Sequence, residues 1–193
     1  MTTRDVSGRG GRAAPRRAAP AEGATPPGSF EHLVSVPVRT TPLAAANVSG
    51  TDIEGRPVSV RLVTPGAWTL LLFLSSHCDG CAPFWRAVQD APSLGLDEGD
   101  AAIVVTHDLE REDRPAIARA LAPSGPGPSG PGPAGPAGPT AIVMSSGAWR
   151  TYGVHGPPFF VLVDGEMVAT EGVAWSIAQV RADVGRARRP SAR

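Results

Sequence analysis

Cys78 and Cys81 are the two thiols of the 193-residue chain, and they stand three positions apart in the run Ser75-Ser-His-Cys-Asp-Gly-Cys81. A pair this close is a poor structural staple, because closing so small a loop restricts the unfolded chain little. Chemistry is the better account, and three readings are open. As a redox pair, one thiolate attacks a disulfide and the second thiol resolves the mixed disulfide by attacking the first sulfur. As half of a zinc site the pair needs two more ligands, for which His77 and His107 are on offer, although no second Cys-x-x-Cys or paired His follows. As inert thiols the two need no partner at all.

The elements around the pair favour the redox reading. Thr69 to Leu74 (TLLLFL) is a continuous apolar run of strand length, expected of a strand covered on both faces. From Cys81 onward, apolar residues at Phe84, Ala87, Val88 and Ala91 follow one face of a helix. Cys78 therefore sits at a helix N-terminus, where unpaired N–H groups and the dipole favour a thiolate. Cys81, one turn further in, is within reach to resolve. Asp79 opposes thiolate formation and a protonated His77 favours it, so the net effect has no determined sign. His77 reads equally well as a surface residue at a loop tip. Gly80 either permits a tight approach to the helix or lets a partner's backbone come near.

The remaining periodicities build an α/β domain. Ala45 to Val48 and Pro57 to Leu62 predict short strands around the turn residues Gly50, Asp52 and Gly55. Ala101 to Thr106 predicts a second buried strand, and Asp113 caps a helix with Pro115 in its first turn that runs to Leu121. Thr140 to Met144 reads as a strand and Ser146 to Tyr152 as a weak helical turn. Phe159 to Val163 and Glu166 to Thr170 are strands joined by Asp164-Gly165, which suits a type I′ hairpin. Trp175 to Ala187 closes as a helix with Ile177, Val180 and Val184 on one side. Strands alternating with helices imply a central sheet covered on both faces. Trp68, Trp85, Trp149 and Trp175 read as core or rim packing. Pro157-Pro158 precedes the strand that starts at Phe159, and residue physics alone favours trans for both prolyl bonds.

Composition sets the boundaries. Gly and Pro together make up 44 of 193 residues, about 23% against an average near 12%, and two stretches hold the excess. Residues 1–29 form an Arg/Ala/Pro/Gly-rich tail too poor in apolar side chains to order itself. Residues 123–139 (PSGPGPSGPGPAGPAGP) read as a mobile loop inserted into one domain over 30–187, since the broken three-residue glycine register excludes a collagen helix. A short basic tail, 188–193, follows. The 18 Arg and 18 acidic residues cancel overall, but the body between Phe30 and Val180 carries eight Arg against fifteen acids. No basic groove for nucleic acid is implied. No run of 18 apolar residues exists to span a membrane, and residues 1–28 lack the apolar segment of a secretory signal. As written, the chain reads as cytoplasmic; an extracytoplasmic site would follow from a start placed elsewhere.

The strand-CxxC-helix unit, followed by Val154-His-Gly-Pro-Pro158 ahead of a hairpin, resembles the thioredoxin superfamily. Within it the chain is most similar to TlpA-like thiol–disulfide oxidoreductases, including thioredoxin-like accessory proteins of methylamine dehydrogenase maturation. Asp52-Ile-Glu-Gly-Arg-Pro-Val-Ser matches their leading hairpin, and the likeness runs from about Leu43 to Arg186, excluding the insertion. It implies a thioredoxin fold with a central mixed sheet flanked by helices and an added N-terminal hairpin. It also implies catalysis by Cys78 and Cys81, and a cis peptide before Pro158 that lies against the cysteines. Pro158 and the preceding Pro157, with His77 and Gly80, would then meet the substrate. No cofactor or metal is implied; the partners would be protein disulfide or thiol clients and an unidentified electron donor. The chain departs from the pattern at His77, where many relatives carry Trp, at Gly80, where Pro is common, and at Leu72, an acid in many thioredoxins. A peroxiredoxin-like thiol peroxidase shares the fold; Ser75 meets its need for Thr or Ser, whereas Leu71 stands where it expects Pro. A non-catalytic binding module is the third reading.

Overall fold

A computed structural model describes residues 42–62, 66–122 and 141–189. The tail 1–29, the insertion 123–139 and residues 190–193 lie outside the described residues. The continuous apolar runs become the middle of a seven-stranded mixed sheet: β1 (Val48–Thr51), β2 (Pro57–Val60), β3 (Thr69–Phe73), β4 (Ala101–Thr106), β5 (Ala141–Met144), β6 (Phe159–Val163) and β7 (Val168–Val173). Their order across the sheet is β2-β1-β5-β4-β3-β6-β7. β3, β4 and β5 run parallel, β6 lies antiparallel beside β3, and β7 antiparallel beside β6. The leading hairpin joins the far edge through Thr51 opposite Met144.

Alternation along the central strands divides the core in two. Leu70, Leu72, Leu74, Val104, Phe160 and Leu162 point to one face. There they meet Phe84, Trp85 and Val88 around α1 (Ala82–Ala87), Ile117 of α2 (Arg114–Leu121), and Val180 and Val184 of α4 (Ile177–Ala187). Leu71, Phe73, Ile103, Val105, Val161 and Val163 point the other way, onto Ala148, Trp149 and Tyr152 of α3 (Ser146–Tyr152). Both faces are covered, which is why TLLLFL carries no polar alternation. The caps are where the residue types put them: Asp113, Ser145 and Ser176 each accept from a backbone N–H in the first turn of α2, α3 and α4. No helix among the described residues is long and apolar enough to cross a membrane.

Several element boundaries move. Val48–Thr51, rather than Ala45 to Val48, pairs in the hairpin, because Leu43 and Ala45 spend their backbone groups on the β6–β7 turn: Val168 N donates to Leu43 O at 2.8 Å and Ala45 N to Glu166 O at 2.7 Å. The hairpin turn is closed instead by Asp52, whose carboxylate accepts from Glu54 N and Arg56 N. The helix from Cys81 is shorter than its apolar spacing predicts. α1 stops at Ala87, and Ala91–Leu94 forms a separate 3-10 turn; Pro92 has no N–H to give the Val88 carbonyl and its ring would clash with it, so one continuous helix cannot run through. The β6–β7 connection is four residues, 164–167, rather than a two-residue turn: Asp164 N donates to Met167 O, the Asp164 side chain accepts from Met167 N, and pairing resumes at Val163 opposite Val168. Ser146–Tyr152 is a full helix, not a weak turn. Arg188, assigned by charge to a basic tail, instead belongs to the folded body: its guanidinium pairs with Asp97 and Asp100 and lies 5.4 Å from the Trp68 ring centroid.

Candidate active site

β3 ends at Phe73, and the chain turns through Ser75–His77 into a single 3-10 turn, Asp79–Cys81, that leads directly into α1. Cys78 occupies the N-cap position of that turn, as the residue spacing requires. It forms a disulfide with Cys81, with Cα atoms 5.4 Å apart. The two sulfurs have different surroundings. Cys81 is fully buried at 0% exposure in the cluster that contains Leu70, Leu72 and Leu74, whereas Cys78 is half-buried at the surface. Leu72 thus places hydrocarbon, and no carboxylate, in the cluster that encloses Cys81.

The loop before Cys78 is held by a residue the sequence pattern does not single out. Glu112, buried at the foot of α2, accepts from Ser76 N at 2.7 Å, Ser76 Oγ at 2.5 Å and Ser75 Oγ at 3.3 Å through one oxygen. Its other oxygen accepts from His107 N at 3.3 Å. The hydroxyls pass the order on: Ser75 Oγ accepts from His77 N, and Ser76 Oγ accepts from Asp113 N. A carboxylate collecting four donors ties the cysteine loop to the end of β4 and to the cap of α2.

His107 is not brought to the cysteines. Its ring stacks on Trp149 at 3.9 Å between centroids, and its Nδ1 lies 3.4 Å from Ser146 Oγ. Burial, and then the charge of Arg111, lower its pKa below the ordinary 6.5. Among the described residues, no three His, Cys, Asp or Glu side chains converge as a metal site would require. His77 is exposed beside Cys78.

The Pro157–Pro158 peptide is cis, and Pro158 reaches the cysteines across Gly80. A Cβ placed on Gly80 would lie 3.6 Å from Pro158 Cδ and 3.9 Å from Cys78 Sγ, so both flank one small space. Those are ordinary contact distances, and Gly80 has no positive φ; tight helix packing therefore does not demand a glycine there. Beyond it opens an apolar groove of about 620 Å³ between Gly80, His155, Pro157, Pro158 and Trp175. A smaller cleft of about 330 Å³ lies on the other side of Cys78, between α1 and α2, bordered by Asp79, Trp85, Arg86 and Ile117.

No protein-family model and no curated protein matches the chain. Solved structures do. The thioredoxin domain of a thiol-disulfide oxidoreductase from Bacteroides vulgatus superposes with a TM-score of 0.51 at 18% identity, covering 75% of this chain and 94% of its own. A thiol:disulfide interchange protein of the thioredoxin family from Chlorobium tepidum gives 0.52 at 17% identity, over 76% and 97%. The chain adopts a thioredoxin fold. A hypothetical protein from Sinorhizobium meliloti is similar at the same level, with a TM-score of 0.52, 18% identity and coverage of 77% and 84%.

Within the thioredoxin fold, Cys78, Cys81, Gly80 and Pro158 come together at one end of the sheet, with Pro157 on the groove wall; His77 is exposed next to Cys78 and is not among the residues that line the groove. Two residues escaped the sequence reading. Glu112 looks like any acid in a charged loop, and the only signal for it was its position next to the cap Asp113. Trp175 was read as packing, yet it is 64% exposed, the one large apolar side chain so exposed among the described residues. Its signal was the place just before the capping Ser176, one a helix uses for an apolar staple.

Proposed function

We propose that the chain is a TlpA-like thiol–disulfide oxidoreductase of the thioredoxin superfamily, acting on protein disulfides or thiols. The observation that carries this reading is the unequal burial of the pair: Cys78 is open to a partner at the start of a helix, while Cys81 is enclosed directly behind it. In the reducing direction the Cys78 thiolate attacks one sulfur of a client disulfide, forming a mixed disulfide and releasing the client's other sulfur as a thiolate. Cys81, giving up its proton, then attacks Cys78 Sγ; the second client thiol leaves, and two electrons have passed from the pair to the client. A thiol donor regenerates the dithiol by the same exchange, and the reverse sequence oxidises a client dithiol. Pro157 and Pro158 would support the client's extended backbone, Gly80 would leave room for it, and His77 would stand beside the attacked sulfur.

The test is equilibration with defined glutathione or dithiothreitol ratios, trapping free thiols, with Cys78→Ser and Cys81→Ser alongside. A reversible two-electron couple is expected, near −270 mV for a reductase or nearer −120 mV for an oxidant. Cys81→Ser should accumulate a mixed disulfide with a client peptide and Cys78→Ser should not. An absence of intramolecular disulfide would defeat the exchange mechanism. Peroxide consumption that survives Cys81→Ser would assign a peroxidase instead, and a reversible couple without turnover would leave a binding module.

A further inference from the structure

We infer that Trp175 is a specificity-determining residue, a client platform that selects polypeptides with a bulky apolar side chain beside the reacting cysteine. This rests on the exchange reaction proposed above and names its substrate class. Three observations converge. The first is placement. Ala174 N donates to Pro158 O at 2.9 Å, and Trp175 N donates to the Gln179 side chain at 3.1 Å, so the backbone of Trp175 is fixed to the cis-proline loop on one side and to the start of α4 on the other. Ser176 completes the cap by accepting from Gln179 N.

The second is that the indole is left over. A residue before the cap normally packs onto the fourth helical position. Here Val180 occupies that position and is fully buried, while Trp175 is 64% exposed. Folding therefore makes little use of the side chain, and exposed tryptophan is the residue type that most often anchors a partner. The third is the chemistry of the walls. Among the described residues that line it, the groove from Trp175 to Gly80 carries no carboxylate, guanidinium or ammonium group, His155 being the one titratable side chain, although the body from Phe30 to Val180 is acidic by sequence. An uncharged apolar segment is the occupant such walls recognise. Since Pro158 and Cys78 Sγ flank the space at Gly80, a client cysteine at the sulfur leaves its neighbouring side chain over the groove.

The experiment uses the full chain, Trp175→Ala and Trp175→Phe. Three disulfides are compared: one peptide with Leu or Phe flanking its cysteine, the same peptide with Asp there, and hydroxyethyl disulfide. Trp175→Ala should raise KM for the apolar peptide about tenfold, as expected for truncation of an aromatic anchor. Hydroxyethyl disulfide turnover and the Cys78/Cys81 potential should not change, and Trp175→Phe should restore most of the peptide effect. Binding of the apolar peptide with its cysteine replaced by Ser, followed by NMR, reports the platform without any exchange. Equal binding by the parent and Trp175→Ala would overturn the inference even where exchange proceeds. Uniform losses on all three disulfides would assign Trp175 a structural role, and Trp175-dependent self-association would give the groove to a second copy. Failure of every disulfide to react, with Trp175-dependent peptide binding intact, would sink the exchange reading and leave the platform standing.

Discussion

Replacing Glu112 by Gln exchanges one oxygen of the carboxylate that holds the cysteine loop for an NH₂ group. The remaining oxygen can still accept from Ser75 Oγ, Ser76 N and Ser76 Oγ, but the new donor then faces His107 N–H, where the native oxygen accepts. Three hydrogen bonds lose their charge assistance and the fourth becomes donor against donor. Charged-group bonds exceed neutral ones by about 1 kcal/mol each, but three of these share one oxygen and do not add, and a neutral amide costs less to bury than a carboxylate, so Glu112→Gln should cost about 2 kcal/mol. Glu112→Ala strands the donors altogether and should cost about 4. For a domain of this size the melting temperature should fall by about 6 and 12 °C, measured on the oxidised protein so that the disulfide is constant. A double-mutant cycle with Ser76→Ala should show coupling of about 1 kcal/mol or more, since both Ser76 bonds end on the same oxygen. Alkylation of reduced Cys78 should change in rate, because Ser75–His77 loses its anchor. A Glu112→Ala protein within about 0.5 kcal/mol of the parent, the range of an ordinary surface change, would refute the network as a structural device.

Gly50→Ala should cost about 3 kcal/mol or more and open the leading hairpin to proteolysis, because the added Cβ would meet Met144 O and Ser145 Cβ, both closer than a carbon tolerates; a variant with native melting would contradict the close approach of β1 to β5. The His107 imidazole should titrate in NMR with a midpoint below 6.5, owing to burial and then Arg111. With its folded pKa lowered, the unfolded chain takes up the proton first, so His107's contribution to stability is complete above 6.5 and is lost as pH falls through the lowered folded value. A midpoint at or above 6.5 would contradict the stacked, partly buried ring.

How far the sequence carried depended on whether a feature is written locally. TLLLFL, AAIVVT and FFVLV are continuous because both sheet faces are covered, and each lands on its strand to within one residue. Asp113 caps the helix its spacing announces, whereas the closing helix starts at Ile177 behind its cap Ser176, two residues later than the expected Trp175. The boundaries that moved were those set by distant partners: Ala45 is drawn away from the hairpin by Glu166, and β7 begins late because Asp164 closes a wider turn on Met167. Arg188 has the same origin, since Asp97 and Asp100, which hold it, are about ninety positions away.

The site follows the same logic through topology. β3, β4 and β5 are parallel, so the segments leaving them open at one edge of the sheet, the edge where α/β sheets gather their ligands. Ser75–Cys81 leaves β3 there, His107–Asp113 leaves β4, and Ser145–Ser146 leaves β5. β6 is antiparallel, so its start at Pro157–Pro158 comes to that edge, and β7, reversed again, delivers Ala174–Trp175 beside it. The CxxC motif is legible because one strand-to-helix junction contains it whole. Glu112 and Trp175 belong to the same edge, yet they reach it along other strands, 34 and 97 residues after Cys78. No local pattern around either residue mentions a cysteine; their relation to the disulfide exists only once strand order is known. Strand order is therefore the information that turns an acid beside a cap into the anchor of the cysteine loop, and an unremarkable Trp into a groove wall.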